Sequence, residues 1–419
     1  MVLYTFILRL LLPFALIRLW WRGRKNPTYA SRWAERLGFG APLTPGALWI
    51  HAVSVGEVRA AAPLVRALLD EHPHIPILVT TTTLTGATQV TMLFGESVSH
   101  RFAPFDLPGA VSRFLNRVSP RAAVILETEI WPVLFRSLQQ ANIPLALINV
   151  RLSERSYLGY RRFKRLVGQT LTIPTVIAAQ SDTDGARLCA LGALPERVHV
   201  TGNMKFEISP TAGLEEAASA LRREWGERPV WVAASTHQGE EEIVLAAHAH
   251  LRKTFPGLLL ILVPRHPERF ELVGKLCRQL AVCVSERSHG GFVDTETSVL
   301  LGDTMGELML FFAAADCAFI GGSLVQTGGH NPLEALALGV PVIFGPHMFN
   351  FDEIARLTLA ERAAIQVSDG DTLERGVAHY LENREAREAA GCAGKRLVQS
   401  NQGACLRTLT LLEPLLHSR

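Results

Sequence analysis

The 419 residues contain no CxxC spacing, no histidine and cysteine group spaced like a zinc site, no GxGxxG dinucleotide fingerprint, no internal repeat and no low-complexity tract. Each absence removes a class of protein. Six cysteines, Cys189, Cys277, Cys283, Cys317, Cys392 and Cys405, are scattered and mostly sit in apolar runs, so they read as reduced residues of a cytosolic body. A net charge of +3 leaves no basic footprint for nucleic acid. The missing fingerprint argues against a nicotinamide enzyme, and the missing ligand spacing predicts no metal.

Long apolar runs are also scarce, with one departure. Val2–Trp21 is apolar apart from Arg9 and Arg18, is interrupted by Pro13, and is followed by Arg22, Arg24 and Lys25. Residues 1–21 are therefore expected to be a membrane anchor. A cleaved signal peptide carries its positive charge before the apolar core and small residues after it, the reverse of this order. An arginine near mid-bilayer costs about 2.5–3.5 kcal/mol on insertion scales, so spanning and shallow interfacial lodging both stay open for a helix carrying Arg9. Arg18, Arg22 and Lys25 would share one helical face suited to acidic headgroups. Trp20 and Trp21 sit where an aromatic belt belongs, and the basic flank places the body on the cytoplasmic side.

Beyond the anchor, short β-branched runs alternate with helical segments, the pattern of doubly wound α/β sheets. One set of strands is expected near Trp49–Val53, Ile77–Thr81, Val124–Leu126, Leu145–Asn149 and Val176–Gln180. A second is expected near Val230–Ala234, Leu258–Val263, Val282–Ser285, Ser298–Leu301, Ala318–Ile320 and Val340–Phe344. The chain is long enough for two cores. We expect two Rossmann-like domains facing a cleft, 22–205 and 214–400, with a linker at 206–213 inside the turn-rich stretch TGNMKFEISPTAG, and a helix at 401–419 that packs back on the first domain. Ligands of such sheets bind at the carboxyl ends of strands.

Several motifs fall at those ends. CAFIGGSLVQTGGHNPLEALALGVPVIFGP, Cys317 to Pro346, reads as a buried strand, a glycine loop, an Asn331 cap with Pro332 opening a helix, and a second strand. Amides and a helix dipole facing the loop suit an anion, and Glu334 one turn in suits ribose hydroxyls; an ordinary strand-to-helix turn has the same outline. In HAVSVGEVRAA, Glu57 falls at a helix N-terminus, either as a base kept ionised by the dipole or as a glutamate that merely complements it. LETEIWP places Glu127 and Glu129 where two carboxylates can share acid and base work, or where Glu129 is a solvent-facing first-turn charge. Lys205 is the only cation between Val198 and Gly213, a pattern that usually means an exposed lysine. VPRHPERF puts Arg265 and His266 after a strand, where arginine grips phosphate. Thr304 and Glu307 in GDTMGEL have capping-box spacing, and Asp182 and Asp184 match a DxD pattern that helix capping explains more simply.

VSVGE, ETEIWP, RLSERS, TGNMKFE, VPRHPERF, GDTMGEL and GGHNPLEALALGVPVIFGPHMFNF, in that order across essentially the whole chain, resemble the 3-deoxy-D-manno-octulosonic acid (Kdo) transferases of lipopolysaccharide synthesis. The resemblance implies a GT-B glycosyltransferase fold with an N-terminal anchor. It also implies inverting, metal-independent transfer of Kdo from CMP-Kdo to a lipid A precursor on the cytoplasmic face of the inner membrane, with no cofactor. It implies Glu57 as proton acceptor and Glu127 and Lys205 as transition-state stabilisers. CMP contacts would fall to Pro264, Arg265, Met305, Gly306, Glu307, Asn331, Pro332, Leu333 and Glu334. Six cations, Arg151, Arg155, Arg161, Arg162, Lys164 and Arg165, against one acid, Glu154, fit a phosphorylated acceptor and a membrane surface, or a solvated basic helix. Val133 departs from the asparagine that follows the proline in relatives. A UDP-sugar transferase or epimerase of the same fold, and a noncatalytic membrane-attached binding protein, are the rival readings.

Overall fold

The computed structural model describes residues 2–25, 32–280 and 283–417. The side chains of Arg22 and Lys25, on which the expected basic face depends, and Val282 of an expected strand lie outside that description. The chain divides into two compact units, Met1–Glu207 with Gln402–Arg419, and Ile208–Asn401.

The first unit is built on seven parallel strands: β1 (Leu48–His51), β2 (Ile77–Thr81), β3 (Ser99–Phe102), β4 (Ala122–Leu126), β5 (Leu145–Val150), β6 (Val176–Ala179) and β7 (Val198–Val200). Their order is β3-β2-β1-β4-β5-β6-β7. The second unit has β8 (Val230–Thr236), β9 (Leu259–Pro264), β10 (Val284–Glu286), β11 (Val299–Leu301), β12 (Cys317–Ile320), β13 (Val342–Phe344) and β14 (Ala364–Gln366), ordered β10-β11-β9-β8-β12-β13-β14. All pairings are parallel, and helices cover both faces, which is why the inner strands read as unbroken apolar runs.

Three strands escaped the sequence reading, β3, β7 and β14. Each is an edge strand with exposed or half-buried positions, so none carries the continuous apolar run that a central strand must. The opening strands of the two sheets share a device. Trp49 and Trp231, each the second residue of its strand, are fully buried, and their indole N–H groups are satisfied by Thr80 Oγ1 at 2.8 Å and His248 Nδ1 at 3.2 Å. Burying such a ring adds about 3 kcal/mol or more provided its polar tip finds a partner.

The Ala404–His417 helix buries Leu409, Leu412, Leu415 and Leu416 in the core that includes Leu48, Ile50, Leu64 and Leu68. The N-terminal helix, Val2–Lys25, is the one helix among the described residues long and apolar enough to cross a membrane. Many of its large side chains, among them Phe6, Leu10, Phe14 and Trp21, are exposed, while Leu8, Leu12, Leu16 and Leu19 are half-buried, and Arg24 lies over the Trp20 ring at 4.3 Å. Tyr4 is the tie to the body: its hydroxyl donates to Asp106 Oδ2 at 2.8 Å.

Candidate active site

The order of each sheet reverses beside its first strand, between β1 and β4 in one unit and between β8 and β12 in the other. Loops leaving such neighbouring strands diverge and open a crevice at their carboxyl ends. Glu57 and Glu127 follow the two strands at the first of these points and Asn331–Glu334 lie past β12 at the second, whereas Arg265 follows β9 and Met305–Glu307 follow β11.

In the first unit, β1 leads into Ser54, which caps the Val55–Glu71 helix by accepting from Glu57 N at 3.4 Å. Glu57 reaches back, Oε2 accepting from Val53 N at 2.7 Å and Oε1 from the Ser54 hydroxyl at 3.0 Å. This variant of the capping box holds the carboxyl in one place. The group is buried, and burial first, then the Glu127 charge, push its pKa up to about 7 against the two hydrogen bonds that favour ionisation. Sequence reasoning expected the helix dipole to keep Glu57 ionised; burial outweighs it, and a carboxyl poised near neutrality is the stronger base.

Glu127 is the first residue past β4, with φ of 57°, a left-handed conformation that costs a non-glycine residue of order 1–3 kcal/mol. Its Oε1 lies 3.2 Å from Lys205 Nζ. Lys205 is not a loose lysine. It rides a single turn, Met204–Phe206, whose Met204 and Phe206 are buried, and Asn203 Oδ1 accepts its amide at 3.0 Å. That turn hangs from Asn149 on β5, whose Oδ1 accepts Met204 N at 2.9 Å. Asn149 is itself buried at φ 53°, with Nδ2 unpartnered. Nothing in the sequence around Asn149 marked it beyond its place at a strand end.

Glu129 is half-buried, accepts from Trp131 Nε1 at 2.6 Å, and has its pKa raised chiefly by burial, so the solvent-facing reading fails for it. The Trp131 ring meets His51 edge-on with centroids 5.2 Å apart. His51 is buried on Thr80 Oγ1 at 2.8 Å, and burial lowers its pKa to about 4, which keeps it neutral. Asp106 closes this corner, capping the Pro132–Gln140 helix by accepting from Leu134 N at 2.7 Å and Val133 N at 3.1 Å while holding Tyr4. The Val133 side chain lies in the core, so its departure from asparagine serves packing. Asp184 of the DxD pattern accepts from Leu152 N at 2.7 Å and Ser181 Oγ at 2.5 Å, and Ser181 caps the helix. Both are structural.

The second unit corrects one expectation. Three amides at the head of the glycine loop do not face outward for a ligand: Gly322 N, Ser323 N and Leu324 N donate to the fully buried carboxylate of Glu240, at 2.6, 3.0 and 2.9 Å, and His237 N adds a fourth bond at 3.0 Å. The close approach that glycine allows is to backbone, since a Cβ at Gly321 would lie 2.6 Å from the Ser235 carbonyl. Pro332 stands at the cap position and Asn331 before it, its Oδ1 accepting Leu333 N at 3.2 Å; the helix that follows, Leu333–Ala337, is only five residues, so its dipole is small. Glu334 lies within 3.5 Å of the Asn331 amide. Pro264 ends β9, and Arg265 N donates to Thr236 O at 3.0 Å, tying the loops after β8 and β9. Thr304 and Glu307 do not form a capping box, because the helix begins at Leu308; Thr304 and Arg287 both bind the Glu307 carboxylate, Arg287 at 2.7 Å, which lowers its pKa. Met305 is exposed and Gly306 has φ 88°.

Among the described residues, the one group suited by geometry to a metal is Glu71, His72 and Glu413. Glu71 ends the helix that Glu57 begins, about 21 Å away at 1.5 Å per residue.

A family model described as 3-deoxy-D-manno-octulosonic-acid transferase (kdotransferase) matches residues 31–208, and one described as glycosyl transferases group 1 matches 285–397. The 3-deoxy-D-manno-octulosonic acid transferase of Haemophilus influenzae is 44% identical over 99% of this chain and 98% of its own. This chain belongs to the Kdo transferase family. The C-terminal CMP-Kdo binding domain of WaaA from Acinetobacter baumannii is 35% identical and covers 45% of this chain and 100% of that domain, with a TM-score of 0.44. A UDP-GlcNAc 2-epimerase from Neisseria meningitidis covers 88% of this chain and 100% of its own with a TM-score of 0.58 at 14% identity, a likeness of fold alone. The Kdo transferase is thus a glycosyltransferase of the GT-B fold class, with two Rossmann-like domains and an apolar N-terminal helix.

Proposed function

We propose that this Kdo transferase moves Kdo from CMP-Kdo to a lipid A precursor, with inversion and without a metal, and that Glu57 is the base. The observation that carries the reading is the grouping of Glu57, Glu127 and Lys205 at the switch point of the first sheet, with Glu57 raised to about 7. In the reaction an acceptor hydroxyl oxygen attacks the ketosidic carbon of Kdo. Its proton passes to Glu57, and CMP departs with the electrons of the breaking carbon–oxygen bond. Lys205, oriented by Glu127, supplies positive charge to the transition state, a term usually larger than proton transfer itself.

The second unit is the donor domain in this account. Arg265 binds the phosphate, Glu334 the ribose hydroxyls, and Pro264, Met305, Gly306, Glu307, Asn331, Pro332 and Leu333 complete the CMP contacts. With the Gly322, Ser323 and Leu324 amides already used by Glu240, the phosphate depends on side chains more than the sequence suggests. The acceptor belongs to the first unit. Arg155, Arg161, Arg162, Lys164 and Arg165 are exposed beside exposed Leu158 and Phe163, a surface fit for phosphates and acyl chains together. The Val2–Lys25 helix holds the enzyme on the cytoplasmic side of the inner membrane.

The experiment is mass analysis of products from CMP-Kdo and a tetra-acylated lipid A precursor, alongside binding of CMP and UDP-GlcNAc. Products heavier by whole Kdo units, with CMP bound, are expected. Binding of UDP-GlcNAc without CMP, or no Kdo in the product, overturns the proposal.

A further inference from the structure

Two histidines that no assigned role uses meet in the crevice of the second sheet. His237 follows β8 and His330 follows the loop after β12, the two strands that flank the switch point. Their Nε2 atoms are 2.7 Å apart and their rings lie within 3° of one plane, so the imidazoles meet head to head. A contact that short requires one proton between the two nitrogens, one ring donating and the other accepting. One of the two facing nitrogens therefore lacks hydrogen in this state; a proton placed on that nitrogen would put hydrogen on both, break the shared bond and force the rings apart.

The pair is held from several sides. His237 N is fixed on Glu240, which also ties down Gly322, Ser323 and Leu324. Gly322, at φ 69°, presses against the other ring, since a Cβ there would lie 3.2 Å from His330 Nε2, and its carbonyl accepts from Gly329 N at 2.7 Å and Thr327 Oγ1 at 2.9 Å. The charged and titratable groups around the pair are Glu240 at the base of its own loop, Arg265, His266 and Arg269 from the segment after β9, and Glu334 beyond His330. His266 sets its ring edge-on to His237 at 5.4 Å, and Arg269 is spent on buried Glu241. Burial and the cations Arg269 and Arg265, with His266, keep the His237 pKa below its ordinary value, while Glu240 pulls the other way.

We propose that His237 and His330 form an oxyanion subsite for the donor, which takes up one solvent proton as an anionic group of the ligand enters and then presents two N–H donors to it. The inference rests on the donor reading above and adds residues outside its CMP contacts. The anionic group is the CMP phosphate or the carboxylate of the transferred sugar, which share this chemistry. The sheet topology favours the place, because the crevice beside β8 and β12 is where such sheets receive ligands. The Gly322, Ser323 and Leu324 amides are spent on Glu240 and Gly329 N on Gly322 O, so a proton-accepting pair adds donors of the kind that backbone N–H groups supply elsewhere. No covalent step is involved. One proton leaves solvent, the shared N–H···N bond is lost, and two charge-assisted bonds form.

Calorimetry of the full-length protein with CMP, cytidine and CMP-Kdo, in buffers of different ionisation enthalpy, tests this. Near pH 7.5 the wild type should take up a measurable fraction of a proton per anionic ligand bound and none with cytidine, and affinity should fall as pH rises from about 7 to 8.5, above the ordinary histidine range. His330→Asn and His237→Gln should each abolish that uptake and weaken anionic-ligand binding roughly tenfold to a hundredfold, leaving cytidine affinity unchanged. Loss with CMP assigns the phosphate; loss confined to CMP-Kdo assigns the carboxylate. Wild-type affinity and proton uptake in both variants, each with a native unfolding transition, overturn the subsite while leaving the donor reading intact. Failure of CMP and CMP-Kdo to bind the wild type overturns both.

Discussion

At the scale of single residues, the Glu57 carboxyl carries a pKa of about 7 because it is buried beside the charge of Glu127. Replacing Glu127 by Gln removes that charge, so besides slowing transfer it should move the acid limb of the kcat/KM profile to lower pH; an unmoved limb would mean that Glu127 does not set the base. The same shift has a stability consequence. Between about 4.5 and 7 the unfolded chain sheds the Glu57 proton while the folded protein keeps it, so this group lowers stability as pH rises through that window. Glu57→Gln should abolish its part of the fall, seen as a smaller drop in unfolding temperature from pH 5 to 7.5. Asn149 acts at one remove. Asn149→Ala keeps a strained φ without a suitable side chain and releases Met204, so kcat should fall about tenfold or more with CMP affinity unchanged, and Lys205 should lose its fixed position. Unchanged kcat would return Asn149 to a purely structural role. VSVGE and ETEIWP were legible as strand-end carboxylates, whereas the burial that tunes Glu57 and the anchoring of Lys205 through Asn149 depend on contacts between segments 55 residues apart, which no local pattern encodes.

Among elements, central strands were legible and edges were not. Cys317–Ile320 is apolar because both of its faces are covered, but Val198–Val200, half-buried at its first residue and exposed at the rest, shows no period that singles it out. The glycine loop after β12 was misread for a related reason. Its glycines were visible, but the partner of its Gly322, Ser323 and Leu324 amides, Glu240, lies 82 residues upstream of Gly322, at the start of a helix where a glutamate reads as ordinary first-turn charge. Removing that carboxylate leaves several buried amides unpaired, each costing about 1–3 kcal/mol. Glu240→Ala should therefore lower the unfolding temperature of the second unit by several degrees and weaken CMP binding, read by calorimetry on the full chain; a transition unchanged within a degree would contradict the assignment.

For the whole molecule, two parallel sheets were foreseeable because a 419-residue chain that alternates apolar strands with helices has few other ways to cover both faces of each sheet. The apolar N-terminal helix was legible by composition. Its tie to the body was not, since Tyr4 finds Asp106 across 102 positions and the same aspartate caps the helix after ETEIWP. Deleting residues 2–25 should abolish flotation with acidic vesicles yet leave binding of soluble CMP intact; full flotation would move the membrane contact to the basic segment around Phe163. The central claim is that Glu57 takes the acceptor's proton, and the direct measurement is the rate of Kdo transfer by Glu57→Gln compared with wild type, with CMP affinity determined on the same samples. The account predicts a loss of roughly a hundredfold to ten-thousandfold in kcat with CMP binding unchanged. Transfer at the wild-type rate would contradict it.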